Sequence, residues 1–191
     1  QVNVNVKKDA EGAIIGAGNN HVQMEGNVYL GGGMDNVGAS ADVSIGLNTK
    51  DSFWKGDVSN ASGSSAGIVN LYMGSGATWT GSNLSGNTVN ANLDHATWTG
   101  HSNGNAMNLT LDHSIWNVNG ASKLASFSGD KGSIFVASDA GDISVGNYSG
   151  NTNIYYAHEG NGEAAENYKA GDTIIQKAAE GSVVSLITDN S

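Results

Sequence analysis

Met107-Asn108-Leu109-Thr110-Leu111-Asp112-His113-Ser114-Ile115-Trp116 restates two earlier stretches of the chain. These are Val89-Asn90-Ala91-Asn92-Leu93-Asp94-His95-Ala96-Thr97-Trp98 and, less completely, Val69-Asn70-Leu71-Tyr72-Met73 followed by Ala77-Thr78-Trp79. The tryptophans recur after 19 and 18 residues, the asparagines after 20 and 18. An internal period of this size means stacked units, each burying its apolar face against the next. Within each unit apolar and polar residues alternate, as in Val69-x-Leu71-x-Met73 and Met107-x-Leu109-x-Leu111. That alternation is the mark of a strand with one buried face.

Two architectures stack short strands. A propeller blade takes about 40–45 residues, twice the period seen here, whereas one coil of a parallel β-helix matches it. The expected fold is therefore all-β, a parallel β-helix of some eight or nine coils. At about 4.8 Å per coil this makes a rod on the order of 40 Å long. Repeated positions then become ladders. Trp79, Trp98 and Trp116 form an aromatic column whose expected role is packing, since Trp supplies much buried area. Trp54 joins it if one coil carries a longer loop. Asn70, Asn90 and Asn108 form a second ladder, expected at a turn, where each amide bonds its neighbours above and below. The motif lapses after Trp116, although Ile134-Phe135-Val136, Ile143-x-Val145 and Ile154-Tyr155-Tyr156 remain strand-like. Residues 1–146 are read as the coils and 147–191 as a C-terminal cap, with room for an antiparallel hairpin, because an open last coil is an aggregation-prone edge. Gly162–Tyr168 is the one stretch with helical character.

Composition narrows the function. The 191 residues include 28 Gly, 24 Asn, no Pro, no Cys and no Arg, with 18 carboxylates against eight Lys for a net charge of −10. Such a chain is repelled by phosphate backbones and lacks the residue that grips them best, so nucleic acid is an improbable partner. Without Cys there are no disulfides, thiolate nucleophiles or Cys-based zinc sites. No apolar run is long enough to span a bilayer as a helix. The chain begins at Gln1 and ends at Asp189-Asn190-Ser191, and it reads as a piece of a longer polypeptide.

Few side-chain patterns suggest chemistry. Asp94-His95 and Asp112-His113 occupy equivalent places in adjacent coils, and stacked His and Asp are donors for a divalent metal or an acid–base pair. Neighbouring residues on a strand point to opposite faces, so neither pair is expected to converge within its own coil. Repetition alone explains the recurrence, and Asp favours turn entry. Gly31-Gly32-Gly33-Met34-Asp35 departs from the calcium-binding G-G-x-G-x-D repeat at its third glycine and reads as a loop. Thr78-Trp79-Thr80 and Thr97-Trp98-Thr99 share the T-x-T pattern of ice-binding β-helices, but Ile115-Trp116-Asn117 breaks it. No nucleophile elbow, zinc-protease helix or phosphate-binding loop is present. The carboxylates are scattered, so no catalytic residue, metal ligand or cofactor is assigned.

Ala-Thr-Trp-Thr-Gly at 77–81 and again at 96–100, the Asn- and Leu-bearing strand before each Trp, and the tail Ala170-Gly171-Asp172-Thr173-Ile174-Ile175 with Gly181-Ser182-Val183-Val184-Ser185-Leu186-Ile187 together resemble a bacterial autotransporter passenger. The similarity is to the pertactin-like, self-associating adhesin branch of type V secretion, over residues 65–190. It implies a right-handed β-helix, export through the outer membrane to the cell surface, and a final segment akin to the autochaperone that folds first. The expected function is thus a non-enzymatic adhesin or stalk that meets itself on another cell, or a host glycan or matrix protein. Its membrane contact would be a translocator barrel that these residues do not include. The competing expectation is a carbohydrate-active β-helix enzyme, a lyase or hydrolase, marked by a groove of converging carboxylates.

Overall fold

A computed structural model of the chain describes residues 1–31, 41–60, 67–104, 106–156 and 170–187. Most of the Gly31–Asp35 stretch and all of Gly162–Tyr168 lie outside the described residues. The regular elements are all strands: β1 (Val2–Val4), β2 (Val6–Lys8), β3 (Ile14–Ala17), β4 (Gln23–Glu25), β5 (Val28–Leu30), β6 (Ala41–Leu47), β7 (Phe53–Lys55), β8 (Val58–Asn60) and β9 (Gly67–Gly74). There follow β10 (Thr78–Thr80), β11 (Thr88–Asp94), β12 (Thr97–Gly100), β13 (Met107–Asp112), β14 (Ile115–Val118), β15 (Ser122–Val136), β16 (Gly141–Tyr156), β17 (Ala170–Ala178) and β18 (Val183–Ile187).

Pairing turns these strands into a parallel β-helix. One face stacks β1, β6, β9, β11, β13, the first part of β15, the first part of β16, and β17. The second face stacks β4, β7, β10, β12, β14, the rest of β15, the rest of β16, and β18. A short third side is made by β5 on β8, continued by bridges from Val58 to Asn83 and from Asn83 to Ser102. Each coil visits the faces in the same order, so among the described residues every strand pairing is parallel except one near the N-terminus.

The core is the stack of inward-pointing residues. Ile45, Leu71, Ala91, Leu109, Phe127 and Tyr148 lie in register on the first face and are all buried. On the second face Trp54, Trp79, Trp98 and Trp116 stack with ring centroids 4.8–5.1 Å apart and none is exposed. Trp54 does belong to the column, and the extra length before Trp79 falls between Trp54 and Val69. Each indole removes about 150–250 Å² from water, worth on the order of 4–6 kcal/mol at about 25 cal/mol per Å².

A second recurring residue holds this column. The indole N–H groups of Trp54, Trp79, Trp98 and Trp116 donate to the carbonyls of Gly26, Gly56, Gly81 and Gly100, each one coil away, at 2.8–3.0 Å. A Cβ at Gly56, Gly81 or Gly100 would lie within 2.0 Å of the carbonyl oxygen of the glycine one coil earlier. The operative motif is therefore Trp-x-Gly. Where Val118 replaces the glycine after Trp116, the next coil presents Ile134, whose side chain has no N–H to satisfy. Below it Ile154 and Leu186 continue the same column, so the ladder outlasts its sequence motif.

The two ends are built differently. Among the described residues the antiparallel pairing is at the N-terminal end, where β2 and β3 pair and pack on β6. Asn5, with φ 45°, turns the chain out of β1, and its amide donates to the carbonyls of Gly18, Asn20 and Gly46. Gly46 sits under the hairpin because a Cβ there would meet the Asn5 carbonyl at 2.1 Å. At the C-terminal end β17 and β18 both pair in parallel with β16, which itself runs through residues 146 and 147. Those strands form one more coil, tied to the seventh by the Tyr148 hydroxyl donating to the Val183 carbonyl at 2.7 Å. Burial pushes the pKa of that phenol above its ordinary value.

Candidate functional site

Side chains that point out of the coils are the material for function, and they stack as regularly as the core. Asn70, Asn90 and Asn108 stand in the middle of β9, β11 and β13, on the outer face rather than inside at a turn. The reason is parity: they alternate with the buried Val69, Leu71, Val89, Ala91, Met107 and Leu109. The Asn90 amide donates to Asn70 Oδ1 and the Asn108 amide to Asn90 Oδ1, both at 2.9 Å. Ser44 accepts from Asn70 at one end, and Ser126 donates to Asn108 at 2.7 Å at the other. These amides spend much of their bonding capacity on one another.

The row beside them is different. Asn92, Thr110 and Ser128 are in register two residues further along the same strands. Among the described residues their side chains have no hydrogen-bond partner, and Asn92 is exposed. Sequence reasoning passed over this row because only its Asn and Thr content, not its freedom, is visible in the repeat.

Where the first face turns into the second, the chain makes a tight corner at the same place in successive coils. Ser75, His95, His113 and Lys131 all adopt φ between 46° and 55° there. Asn, Asp and His enter this left-handed region more readily than most residues. The consequence corrects the expectation that each Asp-His pair diverges. His95 Nδ1 is 2.5 Å from Asp94 Oδ1, and His113 Nδ1 is 2.5 Å from Asp112 Oδ1. The strand rule fails because the histidine is no longer on a strand: the left-handed residue swings its imidazole back over the preceding carboxylate. The two rings then stack with centroids 4.9 Å apart and planes 4° from parallel. Asp94, Asp112 and Asp130 are in register beneath them. Asp112, His113 and Asp130 bring one ligating atom each to within 4.8 Å of one another.

A third constellation lies on the short side. Ser82 Oγ is 3.0 Å from His101 Nδ1, and Asn119 Oδ1 is 3.1 Å from the same nitrogen. A proton relay needs the serine on one ring nitrogen and the orienting group on the other. With both on Nδ1, and Ser82 only 7% exposed, the cluster holds neighbouring turns together.

The outer surface of the second face changes character along the rod. Thr80, Thr99 and Asn117 give way in register to Phe135, Tyr155 and Ile187. Phe135 and Tyr155 stack at 4.5 Å, and with Thr99, Asn117, Tyr156 and Ile187 they help to line a groove of about 560 Å³. Among the described residues no Asp or Glu lines this groove or a smaller one of about 300 Å³ beside Tyr148. Neither offers the paired carboxylates that glycoside hydrolysis uses. Neither a family model, nor a curated protein, nor a solved structure matches the chain.

Proposed function

We propose that the chain is a non-enzymatic β-helical segment of a bacterial autotransporter passenger, carried through the outer membrane and displayed at the cell surface as adhesin or stalk. The sequence resemblance to the pertactin-like, self-associating branch supports the secretion route, and a disulfide-free stack suits it. One observation carries the adhesive part: the outward row Asn92, Thr110 and Ser128, whose side chains have no partner among the described residues. Uncharged donors and acceptors repeated at coil spacing can meet a like row on a second molecule through many small hydrogen bonds, each worth about 0.5–1.5 kcal/mol net.

Sedimentation of the purified chain tests this. It should associate reversibly at micromolar concentration. Replacing Asn92 and Thr110 together with Lys should return it to monomer while circular dichroism stays unchanged. A chain that stays monomeric and captures nothing on glycan and matrix-protein arrays has no adhesive role, and its function is that of a stalk.

A further inference from the structure

We propose that Asp112, His113 and Asp130 form a binding site for one divalent transition-metal ion, of which zinc is the reference case. The donors come from consecutive coils. Asp112 ends β13, His113 makes the corner that follows, and Asp130 lies beside Asp112 in β15. Their ligating atoms are within 4.8 Å of one another. Metal–ligand bonds of about 2.0–2.2 Å put tetrahedral donors roughly 3.4 Å apart. Rotation of these solvent-facing side chains closes that difference with the backbone fixed. One imidazole nitrogen and two carboxylate oxygens, with water completing the shell, select a borderline metal over calcium or magnesium, which favour all-oxygen sets.

The charge around these residues also favours a cation. Asp94, Asp112 and Asp130 stack in register at coil spacing in a chain of net charge −10. Lys131 takes the next corner after Asp130, but among the described residues neither it nor any other lysine comes within 4.0 Å of the three carboxylates, and the lysine–carboxylate pair that does form, Lys55 with Glu25, is elsewhere. The stacked His95 ring, 4.9 Å away, fixes the plane of the His113 imidazole from above. An ion here would clasp two coils at an exposed corner.

Calorimetric titration of the folded chain with zinc salt alone, in a non-chelating buffer, tests the site. One equivalent should bind with micromolar affinity, and excess calcium should not displace it. His113→Asn, which suits a left-handed residue, and Asp130→Asn should each weaken binding by at least about tenfold, since losing even an outer partner of a ligand costs about 10–100-fold. Asp94→Asn should change it less than about threefold, because its carboxylate lies outside the set. Copper(II) substituted for zinc should show one nitrogen ligand by electron paramagnetic resonance, lost in His113→Asn. The proposal is overturned if zinc binds no tighter than millimolar, if calcium binds equally well, or if neither variant alters the affinity. Loss of binding in His95→Asn with His113→Asn unaffected also overturns it. Circular dichroism of each variant separates lost ligation from lost fold.

Discussion

Trp98 and Leu186 occupy the same inward column, four coil steps apart, yet Trp98 is fully buried and Leu186 is 60% exposed. The contrast extends to the coils around them. β11 and β12 alternate strictly between buried and open positions, whereas no residue of β18 is buried. Both regions have the same parallel pairing, so hydrogen bonding alone does not make a core. Burial in a solenoid is supplied by the coils above and below. A middle coil has both neighbours; the β17–β18 coil is described with one. Val184 and Leu186 are inward-column surface left uncovered at the end of the rod, whereas Phe135 and Ile187 lie on the outer face where the middle coils carry Thr80, Thr99 and Asn117.

The sharpest way to break this comparison is to remove the weaker region. If the C-terminal coils nucleate folding, as the autotransporter reading holds, a chain ending at Gly146 should lose its β-sheet signal by circular dichroism altogether. If it folds fully, the nucleus lies among the tryptophan coils instead. Next in size are changes within the column. Trp98→Ala should cost about 3–5 kcal/mol in chemical denaturation, while Leu186→Ala should cost less than about 0.5 kcal/mol because its side chain is already largely in water. Gly81→Ala should cost about 1–3 kcal/mol by overpacking, since its Cβ would sit 1.9 Å from the Gly56 carbonyl oxygen. Equal costs for Trp98→Ala and Leu186→Ala would mean that the last coil is covered in solution. The smallest effect is at the outer ladder. Asn90→Ala removes two amide hydrogen bonds and should cost about 1–2 kcal/mol, with no change in self-association if the free row at Asn92 is the adhesive one.

Much of the architecture is legible in the repeats. Trp spacing locates the second face, the Val-x-Leu-x-Met alternation locates the first, and Trp54 is placed despite its longer interval. Trp-x-Gly was legible as well, in Trp54-Lys55-Gly56, Trp79-Thr80-Gly81 and Trp98-Thr99-Gly100. Its meaning was hidden because the indole reaches a glycine of a different coil, a contact that sequence neighbours do not reveal. The continuation of the column through Ile134 and Ile154 was hidden for the opposite reason: packing needs bulk at that place, and Ile supplies it without the motif. The Asp-His corners were misjudged because alternation predicts side-chain direction only while φ stays extended. Four corner residues with positive φ, none of them glycine, carry no such mark in the sequence.

Repetition by itself determined that the chain stacks, along which residues, and in what register, because a one-residue slip would turn every apolar side chain outward. Only the tertiary structure decided which outward groups are free and which are already satisfied. It also decided that aspartate and histidine meet at the corner, and that the hairpin sits at the N-terminal end. Those outcomes depend on contacts between coils, and a linear pattern records the positions that touch without recording the bonds they make.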